Sequence, residues 1–358
     1  MKNLWENCRH PRTNEFSEQF FSLIFDEVVR IPLSFQKSKV VKCSQDVFTR
    51  FFVLALGIGI ACNPALRAQI FDTNDFRLEI ALTNNIAMFT VYAPAANTNG
   101  VFDLYFKTNL IASQNWTWLL RSAPGQTNFA VSNLPPVQGF FRLETPNAIR
   151  PGFDQQILDR NDDGSTDVVP IGFLINFYGN SNTMLYVNNN GNVTFTSAQS
   201  QYAPQTLASL GAEIIAPFWA DVDTRNPASD VVKYGSNGMV YGHAAFGVDW
   251  VNVGYYYEQA DRLLSCQLVI IDRSDIVPGD FDMEFNYNKV QWEWGNASKN
   301  SPPRAGFSDG TQSYELSGSG VEGAFMDTNV LTGLIYYNLN SSVPGRYFFS
   351  FRNGEPLP

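Results

Sequence analysis

The sequence predicts an all-β protein: two β-sandwich-like domains behind an N-terminal export signal. Three observations carry that prediction. Phe, Tyr, Trp, Val and Ile recur in short strand-like runs, with Gly, Pro and Asn punctuating them. Charged residues make up only 16% of the chain while aromatics reach 14%, a balance that suits pleated, half-buried surfaces better than helical bundles. A basic residue followed by a short apolar run near position 50 separates a polar leader from the body.

At 358 residues the chain has room for two domains. The net charge is -10, and it is unevenly placed. Residues 1–68 hold 9 Lys+Arg against 6 Asp+Glu, and the remainder holds 15 against 28. An acidic body without a basic patch argues against nucleic acid, whose phosphates need clustered Lys and Arg. It suits a soluble surface exposed to salt or divalent cations. Of the cysteines, Cys8, Cys43 and Cys62 lie in the leader. Cys266 alone belongs to the body, so no disulfide framework is available within one mature chain. Its place in Ser265-Cys266-Gln267-Leu268-Val269-Ile270-Ile271 marks it as a buried apolar residue.

The export signal spans 1–68, with its apolar stretch at 51–62 following Arg50 and the small-residue ending Ala65-Leu66-Arg67-Ala68-Gln69. That stretch is too short for a stable bilayer anchor, so no transmembrane anchor is expected in the mature chain. Cleavage after Ala68 is favoured over lipidation at Cys62, where Gly59-Ile60-Ala61-Cys62 half-resembles a lipoprotein box. The polar segment before it reads either as an extended n-region or as an extension upstream of the true translation start. The mature protein is expected to be secreted or held at the cell surface.

From 70 to 146 a small immunoglobulin- or fibronectin-like β domain is expected. Its strands fall at Ala87–Tyr92, Gly100–Phe106, Trp116–Leu120, Thr127–Val131 and Gly139–Leu143, parted by Pro94, Asn97–Gly100, Pro124-Gly125 and Pro135-Pro136. Trp116 and Trp118 could stack on sugar rings, but alternation favours one of them as a core residue. A linker is expected over 147–156, around Pro151 and Gly152.

The second domain, 157–354, opens on Leu158-Asp159-Arg160-Asn161-Asp162-Asp163-Gly164-Ser165-Thr166-Asp167. Asp159, Asn161, Asp163 and Gly164, with Asp167 at the ninth position, match the first half of a calcium loop, where alternate oxygens and a glycine bend suit a hard cation. The twelfth position is Pro170 rather than a bidentate Glu, and an acidic turn before a strand is the competing reading. Strands follow at Ile171–Tyr178, Leu185–Val187 and Asn192–Phe195, the last two bracketing an Asn-Gly turn. Ala203–Gly211 reads as a short helix. Further strands are expected at Val231–Tyr234, Ala244–Val253, Leu263–Ile271, Asp282–Tyr287, Val290–Trp294 and Gly345–Phe351.

Between them lies Ile214-Ile215-Ala216-Pro217-Phe218-Trp219-Ala220-Asp221-Val222-Asp223-Thr224, a buried strand running into two acids. In an extended chain Asp221 and Asp223 share a face, about 6 to 7 Å apart at the backbone. They read as an acid pair for catalysis, a partial cation site with the Asp159 turn, or anchors for a loop. The tentative calcium set is therefore Asp159, Asn161, Asp163, Asp167, Asp221 and Asp223; no other cofactor is indicated.

The ordered series Asn161-Asp162-Asp163-Gly164-Ser165, Phe177-Tyr178-Gly179, Tyr186 to Phe195, Ile215 to Thr224, Cys266 to Ile270, Phe285-Asn286-Tyr287, Ala305 to Gly310 and Leu316 to Gly320 resembles the nidogen-like extracellular (NIDO) domain. The resemblance covers about 155 to 353 and points to the type found in secreted bacterial proteins. It implies an extracellular domain of cell-matrix adhesion without a known catalytic residue set. Its partners would be an extracellular matrix or cell-surface protein, or a glycan. The sorting tail of bacterial relatives and the EGF-like repeats of animal ones do not follow in this sequence, which puts C-terminal anchoring and a full animal-type role in doubt.

The protein is therefore expected not to be an enzyme. His243 with Cys266, and Asp221 with Asp223 or Glu213 as a glycosidase pair, are the catalytic alternatives, and neither has specific spacing behind it. A carbohydrate-binding module using Trp219, Trp250, Trp292 or Trp294 is the runner-up. The sequons at Asn115, Asn192, Asn296 and Asn340 are read as chance matches.

Overall fold

The computed structural model describes residues 52–53, 77–83, 86–92, 100–109, 115–131 and 140–357. Contacts divide the chain into two compact units, Met1–Thr145 and Pro146–Pro358. Both are built from strands, and the protein is all-β. Of the stretch 1–68, expected to be an export signal, only Phe52–Val53 is described. It pairs antiparallel with strand Phe140–Glu144; the cleavage point after Ala68 and the Cys62 box lie outside the described residues.

In the first unit, a four-stranded sheet runs 52–53, 140–144, 103–107, 117–121, and a three-stranded sheet runs 77–83, 86–92, 128–131. Period-two alternation sends Ala87, Phe89 and Val91 of strand Ile86–Tyr92 inward while Ile86 and Met88 stay exposed. Phe89 meets Phe141 of the other sheet edge-to-face at 5.0 Å and Phe129 of its own sheet at 5.6 Å. These rings join the two sheets into a sandwich. The expectation that one of Trp116 and Trp118 is a core residue is not met. The strand Thr117–Arg121 is a sheet edge, and neither ring is buried. Trp118 is 37% exposed and donates its indole N–H to buried Asp103 at 3.0 Å, and Trp116 lies half-buried under the Arg142 guanidinium.

The second unit is a larger sandwich. One sheet has the order 313–315, 304–308, 214–219, 192–194, 180–188, 169–177. The other runs 355–356, 346–352, 281–290, 259–272, 243–255, 233–240, 156–157, with 222–223 also paired to 243–255. Aromatic rings fill the space between them: Phe177 lies 5.3 Å from Phe351, Phe307 lies 5.3 Å from Phe349, and the Tyr287 hydroxyl donates to the Pro217 carbonyl at 2.6 Å. Each such buried side chain contributes about 1.5 to 3 kcal/mol.

Strand Phe281–Val290 is buried on both faces. Phe281, Met283, Phe285 and Tyr287 face the sandwich core, while Asp282, Glu284 and Asn286 point the other way and are buried as well. What covers them includes the segment 147–156, expected as the linker between the domains, which packs on the second unit. Arg150 forms a two-pronged ion pair with Glu284 at 2.6 and 2.8 Å, and its backbone exchanges hydrogen bonds with the Gln267 amide. Phe153 lies on Gly238 and Gly247, where a Cβ would come within 2.4 Å of the ring. The hydrogen-bonding capacity of Gln267 and Glu284 makes this segment part of the sandwich.

Two further expectations are corrected. The helix expected over Ala203–Gly211 is a single 3₁₀ turn, Leu207–Leu210, which buries only Leu207 and ends on Gly211 at φ 68°. The strand expected at Val290–Trp294 is not there. The preceding strand ends at Val290, and the chain turns so that Trp292 packs on Phe218 at 6.0 Å with its N–H on the Val253 carbonyl.

Candidate functional site

Three loops of the second unit converge at one end of the strand Ile214–Trp219. Every residue of that strand is buried, as an apolar run between two sheets should be. It delivers Ala220 and Asp221 to the tip of the Asn188–Asn192 turn, where Ala220 N–H donates to the Asn190 carbonyl and Val222 N–H to the Asn190 side-chain oxygen. Gly191 makes this approach possible. Its φ is 74°, and a Cβ there would stand 1.8 Å from the Phe218 carbonyl oxygen. The third loop, 159–166, is tied in by Asn189 N–H to the Gly164 carbonyl, by Thr166 N–H to the Val187 carbonyl and by Thr224 N–H to the Asn161 carbonyl. Trp250 supports the turn from below, its N–H shared between the carbonyls of Asn188 and Asn189.

Asp162, Asp163 and Asp221 each bring a carboxylate oxygen within 4.8 Å of the others. Asp221 is 1% exposed, and its Oδ2 has no hydrogen-bond partner among the described residues. Asp163 accepts from the Asn190 amide at 2.8 Å. Asp162 Oδ2 forms an ion pair with Arg225 at 3.0 Å, and its Oδ1 is buried without a hydrogen-bond partner. Burial, followed by repulsion from Asp223 and Asp163, pushes the Asp162 carboxyl up to about 6. Burial also pushes Asp221 up to about 6, against the opposing pull of Ser298. Asp223 goes the other way. Burial would raise it, but Arg225 and the backbone N–H groups of Arg225 and Glu258 together hold it below the usual range.

Asn189 completes the arrangement. It is fully buried, and its amide nitrogen donates to the carbonyls of Asp162 and Val222. Those two acceptors fix which end is nitrogen, because a flipped amide would set oxygen against two carbonyl oxygens. Its Oδ1 is left buried without a hydrogen-bond partner. An all-oxygen set of three carboxylates and one carboxamide is the donor chemistry of a hard cation.

The family model described as NIDO related matches residues 151–330, half of the chain and every residue of this arrangement. The chain belongs to the NIDO-related family. Alpha-tectorin of Mus musculus is 28% identical over 227 residues, covering 55% of this chain and 10% of its own length. Alpha-tectorin of Gallus gallus is 25% identical over 226 residues. Nidogen of Drosophila melanogaster is 28% identical over 217 residues, covering 52% of this chain and 15% of its own. The chain thus spans only a small part of these longer relatives. No solved structure matches it.

Within this NIDO-related unit the acids sort differently from the sequence expectation. Asp163 and Asp221 come together, and Asp162 joins them. Asp159 and Asp167 are exposed and stand outside the cluster. Asn161 spends its amide inside the turn, donating to the Asp159 carbonyl at 2.6 Å and accepting from Gly164 N–H at 2.7 Å. Asp223 is bound by Arg225 through two contacts at 2.9 and 2.5 Å. The physical reason is the turn: Asn161 closes it locally, so the loop presents adjacent rather than alternate acids to the interior. Asp162 and Asn189 were missed. The sequence signal for them was the Asp162-Asp163 doublet before Gly164 and the Asn run before Gly191.

The other candidates of the NIDO-related unit are dispersed. Trp219, Trp250 and Trp292 are 0%, 0% and 1% exposed, which corrects the proposal that they stack on sugars; Trp294 is half-buried. Cys266 is fully buried, as its strand context implied, and burial raises its thiol pKa well above the ordinary value. His243 instead lies 3.6 Å from Asp275. Glu213 accepts from the Asn180 amide at 2.7 Å.

Proposed function

We propose that this chain is an exported, non-catalytic adhesion or binding protein whose NIDO-related unit contacts an extracellular matrix or cell-surface protein. The observation that carries this reading is the family membership of residues 151–330. The names of its relatives, nidogen and alpha-tectorin, support it. So does the state of the acids: Asp223 is engaged by Arg225, and Asp221 lies buried in an interlock of loops. The bacterial secreted type and release of the mature chain at Gln69 belong to the same proposal, and N-terminal sequencing of the secreted protein tests the latter.

Plates coated with the full chain are expected to retain cells or matrix protein above albumin-coated plates. Absence of retention, together with hydrolysis of a glycoside or peptide library that Asp221→Asn abolishes, would overturn the reading in favour of an enzyme. A glycan array is expected to stay blank, because Trp219, Trp250 and Trp292 are sealed in the core.

A further inference from the structure

The loop interlock holds more negative charge than it balances. Asp162 Oδ2 and Asp223 are ion-paired with the Arg225 guanidinium, whereas Arg160 of the same loop is engaged by the carbonyls of Thr224, Asn226 and Ser229. Three oxygens remain buried without a hydrogen-bond partner in the protein: Asp162 Oδ1, Asp221 Oδ2 and Asn189 Oδ1. Asn189 is 0% exposed, and its amide is pinned between residues 162 and 222, next to the acids on both sides.

Buried acceptors left unpaired are costly and rare, and three of them on residues joined in one loop interlock call for a common partner. A proton on Asp221 satisfies that one carboxyl and leaves the other two oxygens bare. A buried water donates to two of them but neutralises no charge. A divalent cation answers both needs at once. With no His or Cys among the donors, the set selects a hard cation over zinc or copper. Oxygens bound to calcium at about 2.3 to 2.6 Å stand at most about 5 Å from one another, and those of magnesium at most about 4.2 Å. The carboxylate oxygens here lie within 4.8 Å of one another, inside the span that calcium allows.

We propose that Asp162, Asp163, Asp221 and Asn189 form a site for one calcium ion, which clamps the 161–164 turn and the 188–191 hairpin to the 219–224 segment. Water completes the coordination shell. Arg225 acts as a positioning residue: by holding Asp162 Oδ2 it turns Oδ1 toward the ion, and by engaging Asp223 it keeps that acid out of the shell. The site does not depend on the adhesion reading, and it is tested without any partner.

The full chain, stripped with a chelator and dialysed, is titrated with calcium chloride alone by calorimetry and melted with and without the ion. One calcium per chain is expected, with a rise in midpoint of about 5 to 10 degrees at a hundredfold excess over Kd. Asp163→Asn is expected to weaken binding at least tenfold, while Asp159→Asn and Asp167→Asn leave it within twofold. If Asp163→Asn fails to fold, Asp162→Asn carries the same expectation. No heat and identical midpoints for the native chain would overturn the proposal. So would loss of binding in Asp159→Asn or Asp167→Asn, which would return the ion to the surface loop, or tighter binding of magnesium than of calcium. A negative result here leaves adhesion standing, because plate retention and calorimetry read different things.

Discussion

Replacing Asp221 by Asn in the metal-free protein is expected to stabilise it, which is the opposite of what removing a buried structural acid normally does. Asp221 is 1% exposed, and its carboxyl is pushed from 3.8 up to about 6, mainly by burial and then by the neighbouring acids. The folded chain therefore holds this proton more tightly than the unfolded chain does. Stability falls as pH rises from about 3.8 through about 6, and the cost is complete above that window. At about 1.4 kcal/mol for each tenfold change in proton affinity, the ionised carboxyl costs about 3 kcal/mol near neutrality. Part of that cost is shared with Asp163 and Asp223, so the neutral isostere should recover about 1 to 3 kcal/mol. Asn keeps an oxygen for Ser298 and offers an N–H to the remaining acids. The assay is urea unfolding of both proteins in chelator at about pH 7.5 and pH 4.5. The gain from Asp221→Asn should shrink below about 1 kcal/mol at the lower pH, where the native carboxyl is already protonated when folded. With calcium present the order should reverse, because only the native chain then gains the ion. If Asp221→Asn is destabilised in chelator at neutral pH and recovers in acid, the charge of Asp221 is already compensated within the protein and the reasoning fails.

Gly191→Ala is expected to cost more than about 3 kcal/mol, since the position combines φ 74° with a Cβ 1.8 Å from the Phe218 carbonyl; a lowered urea midpoint checks it. Arg150→Ala strips the principal partner from Glu284, which is fully buried, and should destabilise by about 3 kcal/mol. Glu284 is held below its ordinary value, so its contribution is present above about pH 4.5 and lost as pH falls through the depressed value. The loss in Arg150→Ala should therefore narrow in acid, as paired unfolding curves would reveal. Cys266 should resist thiol labelling in the native chain and react at full rate only once the protein is unfolded, with peptide mapping identifying the labelled site.

Local chemistry made much of this protein legible. Alternation in Ala87–Tyr92, the apolar run Ile214–Trp219 and the Asn-Gly turn at 190–191 each specify a strand or a hairpin from neighbours alone, and those elements stand where the sequence put them. The ordered motifs from Asn161 onward pointed to the family without any structure. Misreadings arose where distant residues decide. Phe153 and Arg150 look like linker residues until Gly247 and Glu284, some hundred residues away, give them a surface to cover. Trp292 sits in a strand-like run, yet packing on Phe218 pulls it out of the strand.

The candidate site divides along the same line. Sequence by itself determined an acidic β-protein, a glycine-bent acidic turn at 159–167 and a second pair of acids at the end of a buried strand. It could not determine which carboxylates share a volume, because spacing along the chain orders ligands only when the loop supplies them all. Here a hairpin and the end of a strand contribute as well. Only the tertiary structure decided that Asp162 rather than Asp159 joins Asp163 and Asp221, that Arg225 engages Asp223, and that Asn189 is held by the Asp162 and Val222 carbonyls with its oxygen unpaired.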